Sequence, residues 1–261
     1  MSRTRRFTPH VHIKHTNYFR LSAEEDNTVF TVTIGKNVNT TLFQWLEYSI
    51  DEGENWSRIY NANNQTITIS IPSINTNESV IMRGNGKSMG YSYNTAADYT
   101  QIKSNSKRFS ASGLIMTLLR GGLADRDTEL DETTDFSFRT LFEDTYITHA
   151  DQLIMPPNVT KDCFNQMFKG CGQLVSAPLL QAETLVHGCY KRMFSGCTSL
   201  NYIKMLALDL THLTQESDNA TYQWLVNVSA NGTFDKNKYA VWTTRGTSGV
   251  PNRWTIRLVD P

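Results

Sequence analysis

From Asn17 to about Leu119 the chain alternates apolar and polar residues in short runs, among them YFRLS, TVFTVTI, FQWLEYSI, TITISI and VIMRG. Successive side chains of a strand point to opposite faces, so this alternation predicts strands buried on one side. In TITISIP the isoleucines Ile67, Ile69 and Ile71 fall on a single face. Asn, Gly and Ser clusters separate the runs as turns separate antiparallel strands, and residues 17–119 read as an immunoglobulin-like β-sandwich. Residues 1–16 form a basic arm ahead of it. The charged stretch RGGLADRDTELDETTD, within 120–136, has no period and reads as a linker.

A different period begins at residue 137. A shift of 26 residues superimposes CFNQMFKGCGQL (163–174) on CYKRMFSGCTSL (189–200), pairing Cys163 with Cys189, Met167 with Met193, Phe168 with Phe194 and Cys171 with Cys197. One period earlier, SFRTLFEDTYIT places Phe138, Leu141 and Phe142 in the same apolar slots, with Ser137 and Thr145 where the cysteines stand later. Positions 163, 164, 167, 168, 171 and 174 share one face of a 3.6-residue helix, so the first half of each unit is expected to be a short helix. The second half, as in LVSAPLLQAETL, is proline-interrupted and reads as a short strand or extended turn. A unit this small cannot close a core alone and must stack on its neighbours, which predicts a solenoid over 137–214 with interior cysteine ladders.

CYKRMFSGCTSL resembles the BspA-type leucine-rich repeat, whose units read Cys-Tyr-x-x-Met-Phe-x-Gly-Cys-Thr-Ser-Leu. The likeness continues through NGTFDKNKYAVWTTRGTSGVPNRWTI (231–256), similar to the ending of such proteins in gut Bacteroidales and their phages. The fold expected is therefore mixed α+β: an N-terminal antiparallel sandwich, a short leucine-rich-repeat solenoid of about three repeats, and a C-terminal cap over 215–261. The resemblance also implies a surface role, as a virion protein such as a head fibre of a crAss-like phage, or as a bacterial cell-surface adhesin. A tail fibre and a lectin are further readings. A virion protein would anchor to capsid proteins through its N-terminal region, form a homo-oligomer and contact a host glycan or protein.

Lys plus Arg and Asp plus Glu number 25 each, so no overall field recruits nucleic acid or an anionic membrane. No apolar run reaches transmembrane length, and no secretion signal is evident at the start. Assembly in a host cytoplasm would need no such signal and would keep the thiols reduced. The four cysteines lack the close pairs of a zinc site and read as buried free thiols.

SIDEGENW (49–56) matches Ser-x-Asp-x-Gly-x-x-Trp, the Asp-box of sialidases and other glycan-active β-proteins. Sialidase chemistry needs several boxes on a propeller, an arginine cluster and a Tyr/Glu pair, whereas this chain has one box. Ser49, Asp51, Gly53 and Trp56 are thus expected to build a hairpin. His10, His12 and His15 could ligate a metal or simply line a polar arm. RGNGKSMG (83–90) lacks phosphate-loop spacing and reads as a connection between strands. No catalytic constellation stands out, so the chain is expected to be non-enzymatic and to need no cofactor. Arg3, Arg5, Arg6 and Lys14 are candidate anchors to a virion. Trp242 and Trp254 either cover the last repeat or offer a stacking platform for a sugar.

Overall fold

The computed structural model describes residues 17–35, 43–59, 66–86, 99–121, 124, 127–131, 134–210 and 219–261. Arg3, Arg5, Arg6, Lys14, His10, His12 and His15 lie outside them. Eight strands form the N-terminal half: β1 (Phe19–Ala23), β2 (Phe30–Ile34), β3 (Phe43–Ser49), β4 (Ser57–Ile59), β5 (Ile67–Ser70), β6 (Ser79–Gly86), β7 (Gln101–Ser104) and β8 (Phe109–Leu114). After the short helix α1 (Thr117–Arg120) come β9 (Ile147–Ile154), β10 (Tyr202–Met205), β11 (Thr233–Asn237) and β12 (Thr255–Val259).

The antiparallel strands obey the period of two. In β1, Phe19, Leu21 and Ala23 are buried and Arg20 and Ser22 face outward; β2 buries Phe30, Val32 and Ile34 in the same way. A three-stranded sheet, β5-β2-β7, packs on a six-stranded one, β4-β3-β6-β1-β8-β9, with Phe30 and Phe109 meeting edge to face at 5.1 Å.

The last pairing in that order joins the two halves of the chain. β8 runs parallel to β9, the first strand of the repeat half. The ladder continues through bridges His149 to Ser176, Ser176 to Tyr202 and Leu180 to Met205, then through parallel β10-β11-β12. Strand register is therefore handed from the antiparallel sheet to the stacked repeats.

The repeats stack, but not as helices. Among the described residues the four-residue α1 is the one regular helix, which overturns the mixed α+β expectation and the leucine-rich-repeat solenoid of helix-plus-strand units. The first half of each repeat is a chain of tight turns. Cys163, Asn165, Met167 and Lys169 donate their N–H to the carbonyl three residues back, while Asp162, Phe164, Gln166, Phe168 and Gly170 donate to carbonyls of the next rung at 2.8–3.0 Å. Every fourth residue has a positive φ: Asp162, Gln166 and Gly170 in one rung, Gly188, Arg192 and Gly196 in the next. A right-handed helix cannot hold such residues, because φ > 0 ends its run of i to i−4 bonds.

The side chains still fall where a helical stripe would put them. Cys163, Phe164, Met167, Phe168, Cys171 and Leu174 are all 0–1% exposed. A turn repeat of four and a helical repeat of 3.6 drift apart by less than half a residue per turn, so a dozen residues do not separate them. The core was readable and the backbone that carries it was not. Phe142, Phe168 and Phe194 stack at 5.5 and 5.6 Å, forming an aromatic column that Phe19 meets at one end and Trp224 at the other.

Candidate binding surfaces

Ser49, Asp51, Gly53 and Trp56 sit in the β3–β4 connection and are occupied with one another. Ser49 Oγ donates to Asp51 Oδ1 at 2.6 Å and accepts from Gly53 N–H at 2.9 Å. Asp51 accepts from the Asn55 backbone and side chain at 2.9 and 2.7 Å, and Trp56 Nε1 donates to the Gly53 carbonyl. Gly53 has φ 87°, a conformation side chains resist. The Ser49 hydroxyl and the Asn55 groups stabilise the carboxylate and push the Asp51 pKa down to about 2. An acid so strong holds no proton to give near neutrality.

The outer face of the six-stranded sheet carries a row that the sequence reading passed over. Register sets Arg58 opposite Glu47 and Glu47 opposite Arg83. Glu47, 6% exposed, binds Arg58 at 2.5 Å and Arg83 at 2.8 Å. Arg58 lies over the Trp45 ring at 4.5 Å and Arg83 over Trp56 at 3.9 Å, while Tyr18 meets Trp56 edge to face. The signal was available: a hairpin closed by residues 49–56 fixes Glu47 against Arg58. The row runs Trp45, Arg58, Glu47, Arg83, Trp56, with each guanidinium held between the shared carboxylate and an indole.

The four cysteines are free and buried. Burial pushes the thiols up, Cys171 to about 11 and Cys189 to about 12, with Cys163 and Cys197 also well above the ordinary value. Thiols so raised are not nucleophiles, and two of them donate hydrogen bonds. Cys171 Sγ donates to the Phe142 carbonyl at 2.9 Å and Cys197 Sγ to the Phe168 carbonyl at 3.0 Å, each reaching back to the preceding rung. Where the first rung has Thr145, its hydroxyl lies 3.4 Å from Cys171 Sγ. No group of three His, Cys, Asp or Glu side chains among the described residues is placed to hold a metal.

Trp242 and Trp254 are 6% and 2% exposed, and their indoles donate to the carbonyls of Ala207 and Ser229. Neither offers a free ring face, so the stacking platform is corrected to interior packing. Trp224, fully buried, belongs to a fourth rung: Phe194 N–H donates to its carbonyl, and Gln223 pairs with Arg192 across 31 residues instead of 26. That longer spacing hid the copy. No protein-family model, curated protein or solved structure matches the chain.

Among the described residues the far end of the ladder is the most exposed apolar region. Val241, Tyr239 and Leu258 are 76%, 66% and 63% exposed, on or beside β11 and β12. On the sheet face opposite Leu258, Asp235 receives Arg257 at 2.6 and 2.8 Å and the Tyr202 hydroxyl at 2.8 Å. No helix among the described residues is long and apolar enough to cross a membrane.

Proposed function

We propose that the chain is a non-enzymatic structural and binding protein of a phage virion, a head fibre or capsid decoration. In this reading its N-terminal region anchors it to the particle and its stacked rungs face outward to a host glycan or protein. The observation that carries the proposal is the repeat, CFNQMFKGCGQL followed by CYKRMFSGCTSL, which resembles units of surface proteins encoded by gut Bacteroidales and their phages. The geometry adds two supports. Backbone bonds between rungs and the aromatic column make a stiff display that loses little entropy on binding. Four buried, unlinked thiols suit a protein assembled in a reducing compartment, which favours the virion over the exported adhesin.

Mass spectrometry of purified phage particles against host outer-membrane fractions tests the proposal. Recovery in intact virions is the expected result. Recovery in the outer membrane alone would replace it with the adhesin.

A further inference from the structure

Strand β12 ends the ladder, and among the described residues β11 is its one neighbour. Thr255 N–H donates to the Gly232 carbonyl and the Val259 carbonyl accepts from Lys238 N–H, both at 2.9 Å. Residues 255, 257 and 259 therefore turn their backbone groups toward β11, and those of Ile256 and Leu258 point outward. Open edges are usually blunted by charge, proline, a bulge or shortness. The opposite end of the ladder, β4, has three residues and an outward Arg58. β12 has five residues and no proline or bulge, and its single charged side chain, Arg257, reaches back to Asp235 on β11 rather than over the open edge.

We propose that β12 is a self-association edge, through which two copies of this chain pair antiparallel about a two-fold axis at Leu258. The edge is complementary to itself: each outward N–H of one copy meets an outward carbonyl of the other, so no foreign chemistry is needed. The register follows from charge. Pairing centred on Arg257 would set two guanidiniums opposite one another, which is unfavourable. Centring on Leu258 sets Arg257 opposite Val259 of the second copy and brings the two exposed Leu258 side chains together. Because β4 is blunted and β12 is not, the contact joins like to like and closes as a dimer rather than growing into a filament. Such pairing does not depend on where the protein acts.

Sedimentation velocity of the full chain tests it. A concentration-dependent dimer is expected, with Leu258→Lys raising its dissociation constant by about tenfold or more, as for loss of a central contact. Leu258→Cys adds an exposed thiol to a protein whose own four are buried. Directly opposed residues in such a pair lie about 5.5 Å apart at Cα, within disulfide reach. Mild oxidation should therefore cross-link Leu258→Cys and not Thr255→Cys, which lies on the same strand away from the axis. A chain that stays monomeric at every concentration, or a dimer indifferent to both Leu258 substitutions, would overturn the proposal.

Discussion

Asp144 Oδ1 stands 1.9 Å from where a β-carbon on Gly170 would lie in the next rung. Gly170 also has φ 78°, so any side chain there meets both strain and a neighbour. Gly196 holds the same place one rung later with φ 84°, but its nearest obstacle is 3.4 Å away. Gly196→Ala is expected to cost about 1 kcal/mol, the strain of a left-handed residue alone. Gly170→Ala should cost slightly more, about 1–2 kcal/mol, because the exposed Asp144 carboxylate must also swing aside. Combining Gly170→Ala with Asp144→Gly should recover the difference, as measured by urea unfolding of the singles and the double.

The thiol ladder predicts silence toward alkylating reagents in the native state. Iodoacetamide at pH 8 should modify none of the four cysteines until the protein unfolds. Cys171→Ala is expected to cost about 1–2 kcal/mol through the lost bond to the Phe142 carbonyl and the small void. The folded thiols titrate above their unfolded value of 9.0. Unfolded chains therefore release protons first as pH rises, and stability should fall above pH 9. Replacing Cys171 and Cys189 together by alanine should lessen that alkaline decline in a series of thermal melts, with Cys163, Cys197 and Tyr190 supplying the remainder.

Glu47 makes a different demand. Its carboxylate is nearly buried and two guanidiniums compensate it, so removing one leaves a poorly solvated charge. Arg83→Ala is expected to cost about 2–4 kcal/mol, since the stack on Trp56 goes as well. Glu47→Gln should cost less, because both arginines are partly exposed and can turn to water. Chemical denaturation of the two variants gives the order, and the reverse order would mean that Arg58 alone satisfies the carboxylate.

Individual residues show what was legible. Phe138, Met167 and Cys189 declared themselves interior because side-chain periodicity reports burial whichever backbone produces it. The chained turns did not declare themselves: Gln166 and Arg192 hold φ of 59° and 53° without being glycine or asparagine, so no turn-forming residue marked them. Hydrogen bonds from adjacent rungs hold them there, and that context is absent from any single repeat. The parallel pairing of β8 with β9 was equally hidden, because Phe109 meets Ile147 across an intervening segment that carries no register signal. The Asp-box was the opposite case. Ser49, Asp51, Gly53 and Trp56 interact within eight residues, and their hydrogen bonds to one another are local.

That locality gives the Asp51 hairpin a clean acid signature. The carboxyl titrates at about 2 in the folded protein against 3.8 as its ordinary value, first because of the Ser49 hydroxyl and then through Asn55. A depressed folded pKa means that the unfolded chain takes up the proton first as pH falls. Its stabilising contribution is complete above about pH 4 and disappears as pH drops through 2. Asp51→Asn, which keeps the side-chain shape but not the charge, should melt below the wild type at neutral pH. The two melting curves should converge between pH 3.8 and 2. A gap that persisted unchanged to pH 2 would show that hairpin shape, and not the carboxylate's charge, holds the turn.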